Sequence, residues 1–320
     1  MEERMGSKIT LKPETKQKLI APLGLVLLVI VLSLASGYFF SVDNFLTIGK
    51  QASINLIIAL GMTVVIVSAG IDLSVGSVCA FCACLMSQIY VLLHLSIWVA
   101  ALFGILAGAI LGLVSGSIIY FANVPPFIAT LGMMGIARGG ALIITSGYPS
   151  SGFPEDFQWI SGGRILGIPF SFILGLCLMG IFFLMLRYTK LGRGFFSVGG
   201  NEEAARYSGV RIGTVKIASY VICGFCAGFA GVVMASRLNT APPAAGSGYE
   251  LNAIAAVVIG GTNLFGGEGT LAGTLIGALI MAVIGNGLNL LNVSPFWQVF
   301  VIGCILILVV AVNTIRQKKK

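Results

Sequence analysis

Few residues in this sequence could do chemistry in an apolar environment, and Asp72 is the clearest of them. It follows a long apolar stretch and a glycine, where a helix would end, and an ionisable group at such a place often marks a transport or ion pathway. Helix capping is the simpler explanation, because Asp72 and Ser74 are natural N-caps for the apolar stretch that follows. Asp72 and Ser74 are therefore candidates for a pathway or gate, with capping as the alternative.

Arg138 is a second candidate, because it lies near the middle of the apolar stretch 127–146. By helical rise this position is close to mid-depth in a membrane. A cation there is expected to face the interior of a helix bundle, a water-filled cavity or an acidic partner. Arg138 is predicted either to line the transport route or to pair with a carboxylate or a carbonyl group.

The segment around Asp72 has a counterpart around Asn263. Gly70-Ile-Asp72-Leu matches Gly261-Thr-Asn263-Leu at a constant offset of 191 residues. Paired segments interrupted by glycine in the two halves of a chain point to the pathway in transporter folds. Stretches rich in glycine also match by chance, so duplication and coincidence both remain open. Asn263 is therefore a further candidate for the pathway or gate, and also for a helix cap.

A polar segment at 188–215 carries a complete set of helix signals. Asn201 is a good N-cap, and Glu202 and Glu203 suit the positive N-terminal end of a helix. Gly209 suits the position that follows the last helical residue.

These signals predict a helix at 202–208, in which Arg206 can pair with Glu202 or Glu203. A helix this short is marginal in water without support. It is predicted either to dock on another molecule or to lie on the lipid headgroups with the help of Phe195 and Phe196.

The composition restricts the elements that can hold these residues. Of the 320 residues, 57% are hydrophobic and only 9% are charged, whereas soluble domains carry roughly 25% charged residues. The net charge of +8 comes from clusters of Lys and Arg at 1–18, 187–216 and 316–320, as is typical of cytoplasmic segments of membrane proteins. Because no basic stripe is interleaved with aromatic residues, nucleic acid is excluded as a partner, and membrane lipid is expected to surround the protein.

Catalytic and metal sites find little support. The only histidine, His94, lies at the end of an apolar stretch, and the Cys223-Gly-Phe-Cys226 spacing has no histidine nearby. We interpret the cysteines as small packing residues and predict no catalytic residue, no metal site and no cofactor in this chain. No GxxxxGK[ST] phosphate loop occurs, so any ATP and Mg would bind to a separate polypeptide.

A membrane-spanning helix needs about 20 mostly apolar residues, and the chain contains ten candidates. The eighth is short and rich in glycine, so it is either a span or a re-entrant or broken helix. Even numbers of spans separate the basic clusters, which predicts that both termini are cytoplasmic. The candidates are 20–40, 52–69, 74–93, 97–121, 127–146, 167–187, 216–237, 251–265, 270–291 and 296–314.

The predicted fold class is therefore an all-α integral membrane protein of about ten transmembrane helices. A cytoplasmic tail at 1–19 precedes a single transmembrane domain at 20–315, which includes the cytoplasmic segment 188–215. A basic cytoplasmic tail follows at 316–320.

One predicted helix carries glycine at every fourth position, at Gly104, Gly108, Gly112 and Gly116. This face can approach a neighbouring backbone closely. The neighbour is expected in the same chain or in a second subunit.

The predicted external stretch 147–166 contains the aromatic residues Tyr148, Phe153 and Trp159 together with charged residues. Such a mixture on a loop suits the docking of a soluble partner. The alternative is anchoring at the membrane surface, for which Trp is well suited.

The sequence resembles the permease subunits of bacterial ABC importers for monosaccharides, in particular the ribose-type permeases. The likeness extends over nearly the whole chain from about Leu19, and its motifs are long and in order. The motifs are Gly61-Met-Thr63 with Gly70-Ile-Asp72-Leu-Ser74-Val-Gly76-Ser77, Phe127-Ile-Ala-Thr130-Leu-Gly-Met133-Met134 with Arg138-Gly139, Gly192-Arg193 with Val198-Gly-Gly-Asn201 and Ala204-Ala205-Arg206-Tyr-Ser208-Gly209, Gly248-Tyr249-Glu250 with Ile254-Ala255 and Gly260-Gly261-Thr262, and Gly273-Thr-Leu-Ile-Gly277 with Asn286-Gly287-Leu288-Asn289.

The resemblance implies a transport subunit without catalytic activity of its own. Two permease subunits, identical or closely paired, would form the pathway, and an ATPase subunit would bind ATP and Mg. A periplasmic or lipid-anchored sugar-binding protein would deliver the solute, with ribose the leading candidate and partner contacts at Tyr148, Phe153 and Trp159. A segment that inserts into the ATPase would transmit its movement, and its residues are Gly199, Gly200, Asn201, Glu202, Glu203, Ala204, Ala205, Arg206, Ser208 and Gly209.

Two other classes of function compete with this one. An ion-coupled secondary transporter or channel would use Asp72, Arg138 or Glu268 for coupling and would not need the capped helix at 202–208. A membrane-embedded enzyme would need a cluster of acids, histidines or nucleophiles at membrane depth, and only scattered residues are present. A permease subunit of an ABC importer is therefore the predicted function.

Overall fold

A computed structural model of the protein describes residues 13–317. Most of the predicted tail at 1–19 lies outside these residues, but positions 13–19 belong to the first helix rather than to a tail. Of the predicted basic tail at 316–320, only Arg316 and Gln317 are described, and they end the last helix.

Residues 13–317 are predominantly helical, as the sequence predicts. The helices are α1 (Pro13–Ala35), α2 (Val42–Val67), α3 (Val75–Leu93), α4 (Ile97–Phe121), α5 (Pro126–Thr145), α6 (Glu155–Gly162), α7 (Phe170–Tyr188), α8 (Lys190–Gly200), α9 (Glu202–Tyr207), α10 (Ile212–Leu238), α11 (Tyr249–Ile259), α12 (Leu271–Leu290) and α13 (Pro295–Gln317). Four two-residue strands, β1 (Ser150–Ser151), β2 (Arg164–Ile165), β3 (Ile168–Pro169) and β4 (Thr240–Ala241), form the antiparallel pairs β1–β4 and β2–β3.

Seven of these helices are long and apolar enough to cross a membrane: α2, α3, α4, α5, α7, α10 and α12. Shorter apolar stretches lie at Ala21–Ala35, Tyr249–Ile259 and Pro295–Ala311. The ten stretches together follow the order of the predicted spans. The protein is an all-helical membrane protein.

The boundary between the first two helices differs from the predicted one. α1 ends at Ala35, and α2 begins at Val42 instead of position 52. Ser41 caps α2, because the Asn44 N–H donates to its Oγ at 3.3 Å. Asn44 is itself buried, and the Asn286 Nδ2 donates to its Oδ1 at 2.8 Å. The prediction was wrong here because the polar first turns of α2 find their partners inside the bundle.

α2 and α10 form the centre of the bundle. The share of the most apolar 18-residue window that is buried is 83% for α2 and 67% for α10, but only 33% for α4, 22% for α5 and 28% for α7. The last three helices therefore present large apolar surfaces outwards. Such surfaces are stable when lipid or another subunit covers them.

The glycine face of α4 packs against α10 of the same chain. A Cβ added to Gly108 would lie 3.0 Å from the Gly228 nitrogen, and one on Gly116 would lie 2.9 Å from the Ile217 Cα. A Cβ on Gly112 would overlap the carbonyl oxygen of Tyr220. The predicted close approach of two backbones is therefore confirmed, and the neighbour lies within the chain.

α11 is shorter than the predicted eighth stretch, 251–265. It ends at Ile259 and has 11 residues, which extend over about 16 Å, roughly half of a hydrocarbon core of about 30 Å. Gly260 follows directly, and a Cβ on it would overlap the backbone of Gly273 on α12. The Gly-rich region thus contains a short helix followed by a break, which agrees with the broken-helix alternative.

Two structural features near the stretch 147–166 were not predicted. The helix α6 packs on α10, because the Ser236 Oγ donates to the Phe157 carbonyl at 2.8 Å and accepts from the Ser161 N–H at 3.1 Å. The pair β1–β4 joins this stretch to the residues that follow α10. Both loops therefore lie at the same end of the bundle.

Candidate coupling segment and transport pathway

The predicted short helix is present as α9, with both ends satisfied as expected. The Ala204 N–H donates to the Asn201 Oδ1 at 2.9 Å, so Asn201 is the N-cap. At the other end, Gly209 has a φ of +80°, and the Val210 N–H donates to the Ala205 carbonyl at 3.0 Å. This is the geometry of a helix that ends at a left-handed glycine.

Ion pairs orient α9 on the membrane bundle. The Arg206 Nη2 lies 3.5 Å from the Glu202 Oε1, which is the predicted pair within α9. The Lys216 Nζ lies 2.6 Å from the other oxygen of Glu202 and connects it to α10. Sequence reasoning missed Lys216 because it belongs to the next predicted span. These pairs add little stability, since their side chains are partly exposed, but they fix the direction of α9.

Most of α9 and its C-terminal end faces outwards. Ala205 is buried against the bundle, whereas the Tyr207 side chain is 86% exposed. Tyr207 is a large exposed aromatic residue that sequence reasoning did not single out. The other exposed residues at this surface are Glu203, Ala204, Arg206, Ser208 and Gly209.

The helix α8, which precedes α9, was not predicted. Its N-cap is Thr189, whose Oγ1 accepts the Gly192 N–H at 3.0 Å. Phe195 and Val198 are buried in the hydrophobic core, and Phe196 is half-buried against it. The alternative that places Phe195 on lipid headgroups is therefore wrong. α8 anchors the segment to the spans.

The C-terminal end of α8 is wedged between the two predicted helix breaks. A Cβ on Gly199 would overlap the Val67 carbonyl, at the end of α2, and would lie 2.7 Å from the Gly267 nitrogen. The Gly267 N–H donates to that same carbonyl at 2.9 Å. On the second break, a Cβ on Gly266 would lie 2.9 Å from the Ala69 Cβ. One junction therefore joins the α8–α9 segment to both breaks.

The two breaks share one type of local turn. At the first, the Asp72 Oδ1 accepts from the Ser74 N–H at 2.8 Å and from the Ser74 Oγ at 2.6 Å. At the second, the Asn263 Oδ1 accepts from the Phe265 N–H at 2.9 Å. In both turns the side-chain oxygen accepts from the residue two positions later, which is the pattern of an Asx turn. The two segments that match in sequence at an offset of 191 residues therefore also form similar turns.

These contacts give Asp72 a structural partner. Ser74 occupies the N-cap position of α3, but its side chain makes no capping hydrogen bond, because its hydroxyl donates to Asp72. Both residues are buried, at 2% and 3% exposure. Asp72 therefore builds the turn that precedes α3.

Arg138 binds carbonyl groups of the loop that follows α10. Its Nη1 donates to the Pro243 and Ala245 carbonyls, the latter at 2.7 Å, and its Nη2 donates to the Ser247 Oγ at 3.4 Å. Nearby, a Cβ on Gly76 would overlap the Gly246 carbonyl. The loop therefore passes between the middle of α5 and the start of α3. Of the predicted alternatives, the structure gives Arg138 carbonyl partners.

The three aromatic candidates of the external stretch occupy different environments. Tyr148 and Trp159 are 76% and 48% exposed, respectively, whereas Phe153 is 3% exposed. The Phe153 and Phe157 rings lie 5.3 Å apart in an edge-to-face contact. Phe153 is therefore a core residue, and its prediction as a surface contact is corrected. Tyr148 and Trp159 are available to a partner.

Paired helix breaks in the two halves of a membrane protein are a feature of transporter folds, and here both breaks contact the α8–α9 segment. The comparison with known families agrees. Residues 44–310 match the model of a family described as the branched-chain amino acid transport system / permease component, and the chain belongs to this family of ABC importer permeases.

Several characterised permeases are similar over nearly their whole length. The ribose import permease protein RbsC of Escherichia coli K12 is 43% identical over 92% of this chain and 93% of its own. The Bacillus subtilis RbsC is 42% identical over 93% and 92%, and the E. coli D-allose transport system permease AlsC is 36% identical over 89% and 88%. No solved structure matches the chain significantly.

This membership defines the class of the protein. It is a multi-pass protein of the bacterial inner membrane and a transport component rather than an enzyme. A permease of this class works with a separate ATPase and a substrate-binding partner.

Proposed function

We propose that this chain is the permease of an ATP-driven ribose importer. The relatives with 41–43% identity are named ribose import permeases, whereas the D-allose permease is 36% identical. The observation that carries the mechanism is the junction at Gly199, where a capped and exposed segment meets both helix breaks. Movement of a partner bound to this segment would reach both breaks directly.

We further propose ten transmembrane segments with both termini cytoplasmic. In this topology the domain extends over 20–315, tails lie at 1–19 and 316–320, and 188–215 is cytoplasmic. α11 crosses about half of the hydrocarbon core, and the loop held by Arg138 lies in the other half. The mid-helix position of Arg138 and its bond to the Ala245 carbonyl at 2.7 Å support this arrangement.

In the proposed coupling mechanism, the segment from Gly199 to Gly209 docks in a groove on the ATPase. α9 supplies an exposed surface that includes Glu203 and Tyr207, and Glu202 fixes its direction through Lys216, 2.6 Å away. Closure of the ATPase would then push α8 against the Val67 carbonyl and Gly267. Two-state repacking at this junction would change which side of the pathway is open. The docking residues are Gly199, Gly200, Asn201, Glu202, Glu203, Ala204, Ala205, Arg206, Ser208 and Gly209.

Reversal of one exposed charge tests the docking surface. In Glu203→Lys, the ATPase that co-purifies with the permease should fall at least about tenfold, because a like charge facing a desolvated partner is costly. The thermal stability of the permease should change little, since Glu203 is exposed and is tied to no other charge in the structure of residues 13–317.

Asp43→Lys is the matched control, because Asp43 is also exposed but lies at the opposite end of α2 from the Gly199 junction. It should leave ATPase binding unchanged. Normal assembly and transport in Glu203→Lys and also in the bulky variant Gly200→Trp would rule out docking at α9.

The proposed pathway lies between this chain and a second permease subunit, either identical or closely related. One face of α5 is open, because a Cβ on Gly132, Gly135 or Gly139 would meet no atom within 4 Å. These residues lie on the same side of the helix by their spacing. We propose that this face lines the pathway, with Arg138 holding the adjacent loop and with Asp72, Ser74 and Asn263 forming the breaks that bend.

Single cysteines test the topology and the pathway together. Tyr148→Cys should react with a membrane-impermeant thiol reagent in intact cells, and Asn201→Cys should react only after permeabilisation. Gly135→Cys should be protected by ribose, because it faces the proposed pathway. Reaction of Asn201→Cys from outside would overturn the topology, and lack of protection of Gly135→Cys would overturn the pathway assignment.

Tyr148 and Trp159 are the proposed contacts for a periplasmic or lipid-anchored sugar-binding protein. Both are exposed and lie on the stretch joined to the loop after α10 by the β1–β4 pair. Aromatic residues of this kind are frequent anchors in protein interfaces. Contact there would reach the loop that Arg138 holds.

Uptake by vesicles tests the function as a whole. Vesicles with the permease, its ATPase and its binding protein should accumulate ribose in preference to other monosaccharides, and only with ATP. Tyr148→Ala should require more binding protein for the same rate. Accumulation driven by an ion gradient without the ATPase would instead favour a secondary transporter.

A further inference from the structure

A groove of about 1180 Å³ lies between the C-terminal end of α4 and the N-terminal end of α10. Along α10 its lining extends from Arg211 to Ile222, which is about 16 Å at the rise of an α-helix. The groove therefore begins where these two spans end and continues along them to membrane depth. A soluble partner could cover its mouth but could not fill it.

The deeper part of the groove is apolar. It is lined by Ile217, Ala218, Val221 and Ile222 from α10, whereas Tyr120 and Phe121 at the end of α4 lie nearer the mouth. The Phe121 side chain is 72% exposed. The Tyr120 ring lies against the first turn of α10, where only a glycine, Gly213, leaves room for it. The deeper part of the groove has the length and the chemistry to hold an acyl chain.

The mouth of the groove is basic. Arg206 and Arg211 line it. Arg206 shares the carboxylate of Glu202 with Lys216, so two cations share one acid. The Arg211 side chain makes no ion pair or hydrogen bond within residues 13–317. The local charge is therefore positive, and one guanidinium has no acceptor in the described part of the chain.

The start of α10 adds hydrogen-bond donors to the same place. Arg211 is in the N-cap position but makes no capping hydrogen bond. The first turn of this 27-residue helix, including Gly213 and Thr214, lines the groove. An uncapped N-terminal turn carries a partial positive charge and binds phosphate groups well. Together with the unpaired Arg211 guanidinium and the nearby Arg206, it forms a positive site for one anionic headgroup.

We propose that this groove binds an anionic phospholipid. Its phosphate lies on Arg211 and the first turn of α10, and an acyl chain runs along Ile217 and Val221. Basic pockets between transmembrane helices are known to bind anionic headgroups. A second copy of this chain fits less well, because a symmetric contact would bring the same cations together.

Native mass spectrometry of the intact complex of permease and ATPase tests the proposal, with phosphatidylglycerol and phosphatidylcholine as probes. The wild type should bind phosphatidylglycerol at least about fivefold more tightly, since a Lys or Arg near a headgroup contributes that much. Arg211→Gln should remove this preference, and Ile217→Trp, which fills the groove, should weaken the binding of both lipids.

Arg187→Gln is the matched control, because Arg187 is an exposed cation in the last turn of α7 that does not line the groove. It should keep the preference of the wild type. Equal binding of the two lipids, or equal loss in Arg187→Gln, would overturn the proposal. Competition by free glycerol phosphate would also overturn it, because it would show a soluble-anion site. Release of the ATPase by Ile217→Trp with unchanged lipid binding would overturn it as well, because it would assign the groove to a protein.

Discussion

ATP-driven uptake should fall at least about tenfold in Gly199→Ala, whereas the ATPase should remain bound. The added methyl group would overlap the Val67 carbonyl and lie 2.7 Å from the Gly267 nitrogen, so the Gly267–Val67 hydrogen bond would break or α8 would shift. An unmet buried hydrogen bond costs about 1–3 kcal/mol, and about 5.5 kcal/mol is enough to reverse a two-state equilibrium almost completely. A single methyl group can therefore disturb the balance between inward-open and outward-open states.

The neighbouring glycine provides the control. A Cβ on Gly200 would meet no atom within 4 Å, so Gly200→Ala should transport within about twofold of the wild type, as expected for a surface change. Thermal melting and co-purification with the ATPase would show whether each variant folds and assembles. Continued ATP hydrolysis with loss of uptake identifies uncoupling. Normal uptake in Gly199→Ala would mean that the junction does not transmit force.

The parts of this segment that could be predicted from sequence are those whose partners are local. The Asn201 side chain accepts the N–H of Ala204, three residues later, and so caps the helix. Gly209 ends the same helix. Such contacts depend on side-chain type and spacing alone. The close packing of α4 could also be predicted, because a row of small residues on an apolar helix allows a neighbouring backbone to approach closely.

The junction at Gly199 could not be predicted, because its meaning depends on residues far away in sequence. Val67 lies before it by 132 positions and Gly267 after it by 68. A glycine in a polar segment is compatible with a loop, a helix end or a close contact, and only the fold distinguishes them. α8 was missed for the same reason. Its glycines disfavour a helix locally, and the helix is stabilised by burial of Phe195 and Val198 in the bundle.

The fold overturned one expectation that rested on residue type and decided between the stated alternatives for another residue. Phe153 belongs to a stretch rich in exposed and charged residues, but it packs on Phe157 in the core. Arg138 could have paired with an acid, but it binds backbone carbonyls of a loop that starts more than 100 residues later. Sequence shows that such a cation needs partners. The identity of the partners depends on how the loop folds back into the bundle.

The role of Asp72 leads to the second prediction. Asp72→Asn should retain at least about half of the wild-type uptake, because an amide oxygen can accept the Ser74 N–H and the Ser74 hydroxyl as the carboxylate does. The chain itself provides the precedent, since Asn263 makes this turn at the second break. Burial in the break between α2 and α3 raises the pKa of the Asp72 carboxyl, although the Ser74 hydrogen bonds lower it. Burial at this position therefore disfavours the charged form of the side chain.

Asp72→Ala should behave differently. It removes the acceptor for two donors at positions that are 2–3% exposed, and each unmet buried donor costs about 1–3 kcal/mol. Uptake should fall at least about fivefold, with a lower melting temperature. Asn263→Ala is the matched change at the second break, where the Phe265 N–H is exposed. Water can replace the lost acceptor there, so the effect should be smaller.

The Asp72→Asn variant distinguishes a structural role of this side chain in the turn from a role of its charge in transport. A secondary transporter that couples uptake to protons or cations through Asp72 would need its carboxylate, so Asp72→Asn would abolish transport without changing the melting temperature. In a permease driven by an ATPase, the side chain has only to shape the break that α8 contacts through Val67. Equal loss in Asp72→Asn and Asp72→Ala, with both proteins fully folded, would therefore assign the charge to the pathway and contradict the structural role.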